Sequence, residues 1–286
     1  MKWALLIMCA GTVVSSPALA NSVLPGSVSS GLLQINAESP QDYINQSESA
    51  PGTYAYSATA PGASASGTIT ISNAQSPSVY AHGTATTSTL NGELASFYAS
   101  AVLTYQIEIL GPGKSVDVSV NGSGNVSASS LAPGSYSNNI MTAGFSVNQG
   151  YSVGQGFSVF DDTESINAYN SSGNGIHYNG PTSGAFNETG TYSFDLDTIY
   201  TVNILASVQS GISGALAGGT ETMTAYVDPQ FFIASTVSNP SAFSIVLSPD
   251  IGSTPLPAAL PLFATGLGCL GLFGWRRKGR AQEVAA

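Results

Sequence analysis

The sequence predicts an all-β protein whose central body is an antiparallel β-sandwich of jelly-roll-like design. Three observations carry that expectation. Only 8% of the 286 residues are charged, too few for helices built from Ala, Glu, Lys and Leu. Apolar and polar residues alternate in short runs, as in 67–72, 103–109 and 115–120, and no long 3.6-residue period occurs. Turn residues (Gly, Asn, Ser and Pro) separate these runs at short intervals, the pattern of many short strands.

The charge balance removes one function class. Six Lys and Arg against sixteen Asp and Glu give a formal net charge of −10, which leaves no basic surface for phosphate backbones and excludes nucleic acid as an expected partner. A hydrophobic content of 43% is too high for a wholly disordered chain. The rare residues gather at the two ends. Lys2, Arg276, Arg277, Lys278 and Arg280 leave Lys114 as the one base between residues 21 and 255, and Cys9, Cys269, Trp3 and Trp275 are terminal too.

Taken from the amino terminus, Lys2 precedes an apolar run over 3–14, and small residues follow at Ala18 and Ala20. That order of charge, apolar stretch and small residues is what a signal peptidase reads, so residues 1–20 are expected to be a signal peptide cut after Ala20. A dozen apolar residues are too few to span a bilayer.

Residues 21–253 then read as one β-sandwich domain, with 21–66 as a looser extension. Pro51-Gly52 and Pro61-Gly62 mark a weak boundary there, and 21–47 leaves strand, helix and coil all open. Beyond it, strands are predicted at 67–72, 103–109, 115–120, 142–147, 156–160, 191–196, 199–208, 220–227 and 243–247. Gly111-Pro112-Gly113, between two alternating runs, predicts a hairpin. No Cys lies in this body, so no disulfide is expected in it.

Chemistry-bearing constellations are sparse. Gly150-Tyr151-Ser152-Val153-Gly154 matches the nucleophile-elbow pattern, but strands flank it and only His177 follows as a base; coincidence in a Gly- and Ser-rich chain accounts for it. His82 and His177 are isolated and offer zinc no ligand pair, so both read as strand or loop surface residues. A glycosidase needs two carboxylates about 5–10 Å apart. The missing Trp in the body counts against a sugar-stacking cleft, although 13 Tyr could substitute. The densest acids are Asp161, Asp162 and Glu164, then Asp195 and Asp197. Their oxygens, on a loop or at i and i+2 of one strand face, could hold Ca²⁺. Acids that keep the surface soluble and block edge pairing are the simpler reading. No catalytic residue, firm metal ligand or cofactor is assigned, and the body is expected not to be an enzyme.

The carboxyl end differs. Residues 256–275 are uncharged, and as a helix they would span about 30 Å, the thickness of a hydrocarbon core. Arg276, Arg277, Lys278 and Arg280 follow as a basic stop over 276–280, which places the 281–286 tail in the cytoplasm and the body outside. Thr254, Pro255, Leu256 and Pro257, then this glycine-rich apolar helix and the basic cluster, resemble over 254–280 the PEP-CTERM sorting signal of Gram-negative bacteria. The resemblance implies recognition by an exosortase, a membrane peptidase that cuts near the Pro-x-Pro, and delivery to the cell surface or the exopolysaccharide matrix. Leu256 stands where the usual motif has Glu. Residues 101–113, 224–229 and 243–248 resemble the ectodomains of many PEP-CTERM proteins, which implies no particular activity. A permanent single-span anchor carrying a carbohydrate- or Ca²⁺-dependent binding module is the alternative.

Overall fold

Thirteen strands among the described residues form two antiparallel sheets. The computed structural model describes residues 24–37, 42–88, 94–130, 138–150, 158–169, 183–213 and 219–252. The expected signal peptide, sorting motif, apolar span and basic stop all lie outside them. In chain order the strands are β1 (Val28–Ala37), β2 (Tyr43–Glu48), β3 (Gly52–Ala60), β4 (Ala63–Ser72), β5 (Ser78–Thr87), β6 (Leu94–Leu110) and β7 (Ser115–Ser130). They continue as β8 (Asn138–Gln149), β9 (Ser158–Tyr169), β10 (Ser183–Asp195), β11 (Ile199–Ser213), β12 (Gly219–Ile233) and β13 (Ser244–Leu247).

The first sheet runs β2-β1-β6-β11-β8-β9, with β13 also paired to β6; the second runs β10-β7-β12-β5-β4-β3. Their inner faces share one core. Leu33 and Ile35 of β1 and Leu103, Tyr105 and Ile107 of β6 meet Ile69, Ile71, Val79 and Val227 from the facing sheet. Each large apolar side chain withdrawn this way contributes about 1.5–3 kcal/mol. On the outer face of the second sheet, hydroxyls pair across strands: Thr84 with Thr222 at 3.3 Å, Thr86 with Thr220 at 3.1 Å and Ser127 with Thr224 at 2.6 Å. This is the half-buried side of a sheet in which β-branched polar residues pair favourably.

Two expectations need correction. The described parts of 21–66, residues 24–37 and 42–66, are no loose extension. β1 lies beside the central β6 over ten residue pairs, and β3 and β4 close the second sheet. Pro61-Gly62 is the two-residue turn joining β3 to β4 rather than a boundary, with Gly62 at φ +88°, where a residue without Cβ is favoured. Nor does Gly111-Pro112-Gly113 close a hairpin. Both edges of β6 are occupied, by β11 on one side and by β1 and β13 on the other, and β7 pairs with β10 and β12. The turn therefore carries the chain from one sheet to the other. The β10–β11 connection crosses beside it, tied by Leu196 N–H to the Lys114 carbonyl at 2.9 Å and Asp197 N–H to the Ile109 carbonyl at 3.1 Å.

The two ends of the described body are clasped together. Asp250 accepts from the Ser27 backbone N–H at 2.7 Å and from the Ser27 hydroxyl. Asn73 Nδ2 donates to the Asp250 carbonyl at 2.9 Å, and Gly252 N–H donates to the Asn73 carbonyl at 2.7 Å. Partial burial alone would raise the Asp250 carboxyl, but the two Ser27 donors together with its own backbone N–H outweigh it and hold it below the ordinary 3.8. A lowered folded value means the clasp is fully present above pH 3.8 and is lost as pH falls through that lower value. Asp250→Asn is expected to destabilise the protein at neutral pH by at most about 1 kcal/mol, since solvent screens the site. The difference from wild type should vanish in urea titrations well below pH 3.8. A difference that stays constant across this range would refute the charged clasp.

Candidate functional site at the overhang of β12

β12 outruns its neighbour. It pairs with β5 from Gly219↔Thr87 to Val227↔Val79, and over Asp228 to Ile233 it continues against β7 alone. Two prolines explain the stop. Pro77 precedes the first residue of β5, and Pro229 has no N–H to give a further ladder bond. Across the sandwich, β13 runs beside β6 at 107–110. Between these parts opens a cleft of about 490 Å³. Pro77, Pro229, Phe231, Ile245 and Leu247 make its apolar walls, and Gln75, Ser76 and Gln230 line it as well. Phe232, also on the lining, is 50% exposed.

Tyr105 of β6 reaches this cleft from the core. The residue is 1% exposed, and its hydroxyl has no hydrogen-bond partner among the described residues. Burial first, and then the negative charge of Asp228, push its ionisation far above the ordinary tyrosine range. It is a neutral phenol at any pH the protein meets. Asp228 itself accepts from Ser76 Oγ at 2.7 Å and Tyr226 Oη at 3.2 Å, and Gln230 Nε2 approaches Ser76 Oγ at 3.5 Å. Burial, then the charge and the hydrogen bond of Asp228, raise Tyr226 too. The arrangement is one of hydrogen-bond donors and acceptors around an apolar wall, with the Ser76 hydroxyl held on the Asp228 carboxylate.

The residues singled out from the sequence fall elsewhere. Asp195 ends β10, and Asp197 sits in the following turn at φ +55°. They share no strand face, although Asp tolerates that left-handed backbone better than most residues. Asp161, Asp162 and Glu164 belong to β9, at the edge of the first sheet, and nothing is described of their side chains. Among the described residues, no three His, Cys, Asp or Glu side chains gather closely enough to share a metal. Gly150 bonds back to the Ile199 carbonyl at 2.9 Å, whereas 151–154 and His177 lie outside the described residues. His82 is a half-buried residue of β5, stacked near Tyr80 with ring centroids 6.3 Å apart; burial lowers its pKa. Among the described residues, no helix is long and apolar enough to cross a membrane.

Sequence reasoning missed Tyr105 as a site residue, although its phase was visible. It alternates with Leu103 and Ile107, which puts a phenol among inward-facing side chains. Glu221 was missed in the same way. In phase with Met223, Ala225 and Val227, it is fully buried and accepts a hydrogen bond from Ser210 of the facing sheet.

No family model matches this chain, and no curated protein matches it. Among solved structures, a chain described as the structure of infectious bursal disease virus Gx strain aligns at 12% identity over 82% of this chain, with a TM-score of 0.15. The alignment spans 54% of the viral chain. Agreement that slight bears on neither fold nor function.

Proposed function

We propose that this is an exported, non-enzymatic protein of the cell surface or extracellular matrix, associated with exopolysaccharide and delivered by its own two terminal signals. Signal peptidase would remove residues 1–20. The 256–275 helix would hold the precursor in the inner membrane with its basic end in the cytoplasm, and an exosortase would cut near Thr254, Pro255, Leu256 and Pro257. One structural observation supports processing at both ends. The Ser27–Asp250 clasp brings the first and last described strands together, so both exits of the chain leave the sandwich at one place. Cuts outside the clasp sever no strand of either sheet. A protein processed at both ends requires that.

Mass spectrometry of protein extracted from the surface of exosortase-containing cells tests the proposal. The expected mature chain begins at Asn21 and ends near Pro257. A surface protein that still ends at Ala286 would overturn the sorting step and leave a permanent single-span anchor. The cleft beside β12 favours a second reading, a binding module for carbohydrate. A Ca²⁺-dependent form of that module draws no support from the separated Asp195 and Asp197.

A further inference from the structure

We propose that the cleft beside β12 is a binding site for one neutral sugar unit of a polysaccharide. Its deepest polar group is the Tyr105 hydroxyl, buried and without a protein partner among the described residues. Leaving such a group unsatisfied is costly, and an incoming hydroxyl or carbonyl oxygen would recover that cost. Because the phenol stays protonated, it always has a hydrogen to donate.

The remaining surfaces narrow the chemistry. Pro77 and Pro229 offer apolar surface and Phe231 an aromatic ring, suited to the C–H face of a pyranose. The side-chain amides of Gln75 and Gln230 each carry donors and an acceptor, which matches sugar hydroxyls that do both. Charge then selects among sugars. Among the described residues no Lys, Arg or His lines the cleft, and the Asp228 carboxylate lies beyond Ser76, whose Oγ donates to it at 2.7 Å. A uronate or sulfated sugar would meet like charge with no counter-ion. The size fits too: sites for small molecules run from about 300 to 1,000 Å³, and this cleft is about 490 Å³. A leucine-like side chain from a peptide laid along the overhang of β12 would fill the apolar walls, but would leave the Tyr105 hydroxyl unpaired.

The inference rests on the exported-protein reading only for the source of its ligand, and a binding measurement separates the two. The full chain, held in a detergent without a sugar headgroup, would be titrated by NMR with glucose, galactose, N-acetylglucosamine and their short neutral oligomers. Glucuronate and a blocked leucine peptide serve as comparisons. At least one neutral sugar is expected to bind, with glucuronate about 10-fold weaker or more. Tyr105→Phe, which removes one oxygen from the core, should weaken that sugar about 5- to 10-fold with no fall in Tm. Gln230→Ala, at an exposed position, should weaken it several-fold. Absence of binding by every neutral sugar, tighter binding of the peptide, or unchanged affinity in both variants would overturn the site. Sugar binding together with an uncut Ala286 terminus would overturn the sorting step alone.

Discussion

Phe97→Ala is expected to destabilise the protein by about 3–5 kcal/mol, Gly83→Ala by about 1–3 kcal/mol, and the two together by clearly less than their sum. Phe97 projects inward from β6 and is 2% exposed; Gly83 faces it from β5 in the other sheet. A Cβ on Gly83 would stand 2.1 Å from Phe97 Cδ2 and 2.3 Å from Cε2, far inside contact distance. At 2% exposure the ring lies in the interior, where close packing resists its displacement. Removing it opens the space that the new methyl group needs. The double variant should therefore show a coupling of about 1–2 kcal/mol in denaturant unfolding. Additivity within about 0.5 kcal/mol would mean that the ring does not cover Gly83. Gly122, on β7, repeats the device against Phe145 of β8, with a Cβ at 1.9 Å.

Replacing Arg276, Arg277 and Lys278 together with Ser is expected to abolish most processing at the sorting motif. Each of these cations costs about 2.5–3.5 kcal/mol at the bilayer centre, so the three make passage of the carboxyl end unfavourable by about 8–10 kcal/mol. Without them the apolar 256–275 segment loses its stop and its fixed orientation. Uncut or fully translocated chain should accumulate, read as a shift in mass and as loss of the membrane-held intermediate. Deleting Pro255–Pro257 should instead leave the precursor inserted but uncut. Normal processing in both variants would show that the basic cluster and the Pro-x-Pro do not direct it.

Much of the sandwich was legible because its signal is local. A strand that buries one face writes period two into its own residues, and that is why 103–109 and 199–208 lie within β6 and β11. β1 escaped assignment. Its Ser29, Gly31, Leu33 and Ile35 share the inner phase, and neither the Ser nor the Gly announces burial. The inner position of Gly31 is explained by Ile69 of the facing sheet, whose Cδ1 would lie 2.2 Å from a Cβ there. That fact belongs to another strand.

The sequence alone therefore determined the all-β class, the phase of most strands and the separation of an acidic, nearly base-free body from chemically distinct ends. Each of these depends on residues within a few positions of one another. Tertiary structure decided which sheet each strand joined, because strand pairing is chosen by partners far along the chain. Gly111-Pro112-Gly113 reads as a hairpin turn until β1, β11 and β13 are seen to occupy both edges of β6. The cleft depended on the same thing: it exists because β12 outruns β5, and Tyr105, Gln75 and Phe231 come from three separate parts of the chain to line it. The Ser27–Asp250 clasp spans 223 positions. Contacts at that separation leave no periodic trace in the sequence, since only the folded chain brings the two residues together.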